Sequence, residues 1–308
     1  MKLQSTRTLS QPISNRLHKG FTTVELLVGL LLSLFIIGVS ITYFIASSQT
    51  FKLHTNESVV QENGRFALEY LASSLRHAGV NPGNSIGYEM DVVYTGSLCS
   101  SSEAGLEDGT ASTSACTRDG AKNSTQNNSD RVALDYVIDA SKEISDLVTT
   151  GCNGHSITVP AGQQLRVASV LWTADLDADG VRSLYCQTLN LQTNLAEGAA
   201  LPLVDGVERL QIQFGLDSDG NGIVEQYLSY ANLGAANSDK VKSMRVAVLV
   251  ISGLYENEAN TETASTSREF KLLDAASESF ANDKSFRQVY ATTVMVHNAP
   301  VEAFAATP

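Results

Sequence analysis

Several things are missing from this sequence, and each omission excludes something. No acid stands among residues 1–20, no proline between Phe21 and Ala78, and no Cys-x-x-Cys pair anywhere. Without paired cysteines a structural zinc site lacks its usual ligand set. Without proline, nothing breaks a helix that begins near Phe21 until Pro82. No His-Glu-x-x-His and no phosphate-binding glycine loop occurs. The histidines, at 18, 54, 77, 155 and 297, are scattered. No basic patch with interleaved aromatics follows residue 80, so nucleic acid is not an expected partner. The chain reads as a protein that is not an enzyme.

What is present is unevenly spread. All 308 residues together carry 21 basic and 33 acidic groups, and 43% are hydrophobic, enough for a real core. Lys2, Arg7, Arg16 and Lys19 lie in the first 20 residues, so the remainder holds 17 basic against 33 acidic. A body this acidic repels nucleic acid and anionic membrane surfaces.

Residues 1–20 read as a leader: basic, polar and without apolar periodicity. An uncharged run of 21 residues follows, from Leu26 to Ala46. As a helix it spans roughly 31 Å, about one hydrocarbon core. Basic residues before it and an acidic body after it predict a cytoplasmic N-terminus and an exported C-terminus. A secretory signal peptide is the competing reading, with its cut near Ala46-Ser47-Ser48. The length of the run argues against it. So does Glu25 at its mouth, where a carboxylate costs on the order of 2–3 kcal/mol toward a membrane centre and less near the edge.

The stretch Gly20-Phe21-Thr22-Thr23-Val24-Glu25-Leu26-Leu27 resembles the class III signal of type IV prepilins. The resemblance implies that a membrane-embedded prepilin peptidase cuts between Gly20 and Phe21 and methylates the new amine of Phe21. It also implies that Glu25 acts in assembly, neutralised in a dry fibre core by the positive N-terminus of a neighbouring subunit. Elementary electrostatics agrees, because a buried acid is tolerated only if a partner charge is supplied. Gln61-Glu62-Asn63-Gly64-Arg65-Phe66-Ala67-Leu68 resembles the PilW branch of minor pilins. So does Val289-Tyr290-Ala291-Thr292-Thr293-Val294-Met295-Val296-His297-Asn298, except that His297 stands where the branch usually has Arg. Many major pilins interrupt their first helix with a proline, and this chain departs from them. Gly29, Gly38 and Gly64 are then the weak points for bending.

From Ser47 to His77 the residues Val59, Phe66, Leu68, Leu71 and Leu75 recur at spacings of three and four, predicting an amphipathic helix with one apolar stripe. Gly79 is the expected residue after the helix end and Pro82 the stop. The predicted organisation is a leader over 1–20, a long helix over 21–80 that crosses the membrane over 21–46, and a β-rich head over 81–308. Strands are expected at Arg131–Ile138, Gln164–Trp172, Val181–Leu189, Leu210–Phe214, Val224–Tyr230, Ser243–Ile251 and Phe286–Val296. The fold class is α+β, one long N-terminal helix against antiparallel sheet, as the resemblance to pilins also implies. Ser97–Asp130 and Glu256–Arg268, rich in Ser and Thr, read as surface loops, and Trp172 reads as core.

Four cysteines, Cys99, Cys116, Cys152 and Cys186, all follow the apolar run. An even count beyond a membrane favours disulfides. Three pairings are open, and Cys99–Cys116 with Cys152–Cys186 closes the smallest loops. Asp175-Leu176-Asp177-Ala178-Asp179-Gly180 and Asp217-Ser218-Asp219-Gly220-Asn221-Gly222 match the first half of a calcium loop, with Asp175, Asp177 and Asp179, and Asp217, Asp219 and Asn221, at alternate positions. Neither has the usual twelfth-position Glu, since Cys186 and Leu228 stand there, but Glu225 is at position 9 of the second. Asp, Asn and Gly are also ordinary hairpin-turn residues. Calcium is therefore a candidate ion only.

The resemblance implies a minor pilin that waits in the inner membrane with its head in the periplasm, then enters a pilus, at its tip or in its initiating complex. Its implied partners are the peptidase, other minor pilins, the major pilin and the inner-membrane assembly platform. A minor pseudopilin of type II secretion is an alternative, and an anchored or secreted calcium-dependent binding protein is another.

Overall fold

The computed structural model describes residues 20–81, 91–96, 116–120, 129–175, 181–252, 268–280 and 285–296. The chain divides into two compact units, Met1–Leu53 and His54–Pro308. Helix α1, Thr23–His77, begins in the first and ends in the second.

In the first unit the side chains from Phe21 to Ile45 are all exposed, among them Leu26, Leu31, Phe35, Ile37 and Phe44. A soluble core helix would bury such residues. The segment is long and apolar enough to cross a membrane. Three of its hydroxyls are turned back onto the helix. Ser33 Oγ donates to the Leu30 carbonyl at 2.9 Å, Ser40 Oγ to Ile36 at 2.7 Å and Thr42 Oγ1 to Val39 at 2.8 Å. This leaves no polar hydrogen of those groups seeking water, as an apolar surrounding requires.

In the second unit α1 buries Val60, Gly64, Ala67, Leu71, Ala72 and Leu75. Leu71 and Leu75 belong to the expected stripe, and the rest of it differs. Val59 and Phe66 are exposed, and Leu68 is half-buried. Half of the buried face is small, Gly64, Ala67 and Ala72, and small residues let a helix axis approach a sheet closely. A reading weighted by side-chain size therefore finds Leu71 and Leu75 but takes Val59 for Val60 and Phe66 for Ala67. Gly79 follows the helix with φ +74°, the left-handed conformation expected after a helix end. Its N–H donates to the Asp135 carbonyl at 2.7 Å, which ties the helix end to the sheet.

The head holds strands β1 Val132–Asp139, β2 Leu147–Thr150, β3 Ser156–Val159, β4 Gln164–Ala174, β5 Ser183–Asn190, β6 Leu195–Asp205, β7 Val207–Leu216, β8 Gln226–Leu228, β9 Val241–Ile251, β10 Arg268–Phe270, β11 Glu278–Phe280 and β12 Arg287–Met295. A short helix α2, Tyr230–Leu233, and a 3-10 turn, Ala235–Lys240, lead into β9. One four-stranded sheet has the order β1-β4-β5-β6 and another the order β12-β9-β7-β8, with β2-β3 and β10-β11 as small hairpins. Every pairing is antiparallel.

Alternation assigns the faces. Leu134, Leu171 and Leu184 from the first sheet, and Leu210, Ile212, Phe214, Val246, Val248 and Val250 from the second, join the helix residues in one core. On its other face the first sheet buries Ala133, Val170, Trp172 and Tyr185 around Cys116. The second sheet turns Ala247 and Leu249 toward Leu272, beside the β10-β11 hairpin. Both faces are covered, so β4, β5 and β9 read as nearly continuous buried runs. Strand β6 has no counterpart among the expected strands. It is an exposed edge with an irregular pattern, a glycine at φ +78° and register shifts against β5, so period-two alternation is absent. Arg268, expected in a loop, instead opens β10; residues 256–267 of that loop, like most of Ser97–Asp130, lie outside the described residues.

Candidate functional sites

At the start of α1, Thr22 and Glu25 hold each other. The backbone N–H of Thr22 donates to Glu25 Oε2 at 3.1 Å and its hydroxyl to the same oxygen at 3.0 Å. In return the Glu25 N–H donates to Thr22 Oγ1 at 3.3 Å. This is the reciprocal arrangement of a capping box, with Thr22 as N-cap and Glu25 three residues on. The carboxylate also sits where the positive end of the helix dipole favours it. The Thr-x-x-Glu spacing was readable in the sequence as a helix start, and it explains how a lone acid is accommodated at the mouth of an apolar run. Gly20 and Phe21 precede it and are exposed. The leader, residues 1–19, lies outside the described residues.

The second region is the seam between the last turns of α1 and the sheets. Gly64 lies against β12. A Cβ at that position would lie 2.3 Å from Cε2 of Tyr290, on β12. Beside it, Asn63 Nδ2 donates to the Asp205 carbonyl at 3.0 Å. About two turns further, the Tyr70 hydroxyl donates to the Cys152 carbonyl at 3.1 Å. A disulfide joins Cys152 to Cys186 on β5. Thus the Asn-Gly pair of one quoted segment and the Tyr of the other meet at one seam. Cys99, expected opposite the buried Cys116, lies outside the described residues, as do His297 and Asn298.

Three charged pairs stiffen the head. Asp135, fully buried on β1, is bound by Arg166 of β4. Burial nevertheless pushes its carboxyl from the ordinary 3.8 up to about 6, outweighing the guanidinium. Arg209 forks onto Glu278 at 2.8 and 2.9 Å, and Arg287 onto Glu208 at 2.7 and 3.1 Å. Both guanidiniums lie over the Phe280 ring, at 5.5 and 4.8 Å from its centroid. Asp130, also buried, accepts the N–H groups of Gly120 and Ile212 at 2.8 and 2.7 Å. Desolvation drives its carboxyl from 3.8 up to about 7.

The third region is the connection from β7 to β8. Asp217, Asp219 and Glu225 each bring a carboxylate oxygen within 4.8 Å of the others. Asn221 lies in the same turn, its Nδ2 donating to Asp219 Oδ2 at 2.9 Å. Of the other acidic stretch only Asp175 is described; Asp177 and Asp179 lie outside the described residues. Gly83-Asn84-Ser85-Ile86-Gly87 has Gly-x-Ser-x-Gly spacing and also lies outside them. That motif marks a nucleophile only where a strand leads into it, and here helix α1 ends shortly before.

The architecture, an apolar N-terminal helix followed by antiparallel sheets, and a match in its C-terminal part together support a type IV pilus-related pilin. The family matched is type IV pilus-assembly protein W, PilW, over residues 173–298, about two fifths of the chain. No curated protein matches the sequence. Among solved structures the chain is similar to a type IV-like pilin from Thermus thermophilus. The identity is 13%, the TM-score is 0.32, and the likeness covers 59% of this chain and 83% of that one.

Proposed function

We propose that this chain is a PilW-like minor pilin, a structural subunit that helps to start or cap a type IV pilus and carries out no catalysis. The observation that carries the reading is the combination of an exposed apolar helix, opened by a lone acid, with a head whose residues 173–298 match the pilus-assembly family. Processing between Gly20 and Phe21 and methylation of Phe21 supply a positive amine next to the membrane. In the free subunit Thr22 satisfies Glu25. In the fibre, a neighbour's amine compensates the same carboxylate where water is excluded, which fixes the axial register between subunits. Val59 and Phe66, exposed on α1 within the head unit, offer apolar surface for adjacent subunits to cover.

Before assembly the subunit spans the inner membrane once, with its head in the periplasm; afterwards it is part of the fibre. The partners are prepilin peptidase, the other minor pilins, the major pilin and the assembly platform. A pull-down of the intact protein from membranes tests this. Recovery of co-assembling pilins is the expected result, and recovery of type II secretion components in their place contradicts it.

A further inference from the structure

We propose that the β7-β8 connection, from Asp217 to Glu225, is a calcium site. It stands on more than acidity. Asp217 is 1% exposed, and its Oδ1 is buried without a hydrogen-bond partner. Its other oxygen, Oδ2, accepts the N–H of Gly222 across the turn at 2.8 Å, so the carboxylate faces into the loop. Its backbone is pinned as well, with the Asp217 N–H donating to the Lys240 carbonyl at 3.1 Å. A buried acceptor oxygen normally finds a donor or an ion, because leaving it bare forfeits its hydration.

Among the described residues no donor reaches it, but further ligands do. Asp219 and Glu225 converge on Asp217 to within 4.8 Å. None of the three carboxylates forms an ion pair with a lysine or arginine among the described residues. Glu225 is held in place through one oxygen only: Oε2 accepts the N–H and the hydroxyl of Ser218 at 2.7 and 3.0 Å. Its Oε1 is left over. Asn221 stands at position 5 of the loop and the Ile223 carbonyl at position 7, so side-chain oxygens at 1, 3 and 5 are followed by a main-chain oxygen at 7, the order of a calcium loop. Gly220 and Gly222, at φ +78° and +84°, permit the tight turn.

An ordinary hairpin turn needs none of this. One Asp or Asn bonding to its own backbone suffices, and a turn gains nothing from three close carboxylates. All the candidate ligands are oxygens of mixed type, which suits calcium, whereas magnesium demands near-ideal octahedral geometry and gives up its water reluctantly. Leu228 in place of the twelfth-position Glu removes one bidentate ligand. Affinity in the range of extracellular modules, on the order of 0.1–1 mM, follows from that shorter ligand set.

The test uses the full chain in detergent, stripped with a chelator and then titrated with calcium chloride. Calorimetry and thermal melting are read on wild type, Asp219→Ala, Glu225→Gln and Asp175→Asn. Because Asp219 and Glu225 are exposed, their variants retain the fold, which the buried Asp217 does not guarantee. Expected are binding of calcium in preference to magnesium, a higher melting temperature at about 2 mM calcium, and affinity at least about ten-fold weaker in Asp219→Ala and Glu225→Gln. Asp175→Asn keeps the wild-type response. No heat and no thermal shift on wild type overturns the site. So does an unchanged response in both loop variants, which would locate the bound calcium elsewhere.

Discussion

The Tyr290 ring occupies the space that a side chain on Gly64 would need. An ideal Cβ there lies 2.3 to 2.7 Å from three ring atoms, inside any real carbon–carbon contact. Gly64 belongs to α1 and Tyr290 to β12, so residues far apart in sequence share one close approach. The neighbouring Asn63–Asp205 bond fixes the same turn of helix to the end of β6.

Gly64→Ala is therefore expected to destabilise the head, although alanine is the better helix former. Overpacking of this kind costs about 1–3 kcal/mol, against a helix-propensity gain of about 1 kcal/mol. Thermal denaturation of the full chain in detergent checks it. Tyr290→Leu in the same chain is expected to recover part of the loss, since the two changes share one contact. Equal, additive losses would remove the steric account.

Thr22→Ala deletes the acceptor and one donor of the capping box while leaving Glu25 in place. The first turn of α1 then frays. Loss of such a cap costs about 1 kcal/mol, which corresponds to roughly five-fold faster amide exchange in that turn. Hydrogen exchange resolved to the first helical turn reads this directly. Thr22→Ser is expected to restore the wild-type rates.

Asp130 gives the head a pH dependence. Its folded carboxyl titrates at about 7 and its unfolded one at an ordinary 3.8, the difference coming from burial. Between these values the folded chain binds more protons than the unfolded one, so stability falls as pH rises. The stabilisation is complete below the unfolded value and is lost as pH passes the folded one. Asp135, at about 6, acts in the same direction over a narrower window. Melting curves from pH 4 to 8 are expected to show a decline that is shallower in Asp130→Asn. The same slope in both would assign the effect to other groups.

How far the sequence reached depends on where each signal resides. Strands β1, β4, β5, β7, β9 and β12 announce themselves through alternating or continuous apolar residues, and Gly79 through its position after a periodic helix. Strand β6 does not, because an exposed, bulged edge needs no apolar alternation. The helix stripe is legible at Leu71 and Leu75 but not at Gly64, Ala67 and Ala72, which carry little hydrophobic weight but allow close packing. The acidic loop was legible as a spacing. That Asp217 is the buried member and Asp219 the exposed one depends on β9 and the 3-10 turn before it, where the backbone of Lys240 meets Asp217. The capping box is legible too, as Thr-x-x-Glu spacing, but the same Thr22 and Glu25 also form part of the likeness to a processing signal.

The central claim is that the chain matures at Phe21 and enters a fibre by its N-terminal helix. Mass spectrometry of the mature N-terminus, on protein recovered from cells containing prepilin peptidase, tests it most directly. The account predicts a chain that begins with N-methylated Phe21. A mature chain that begins near Ser47, or that retains residues 1–20, would contradict it.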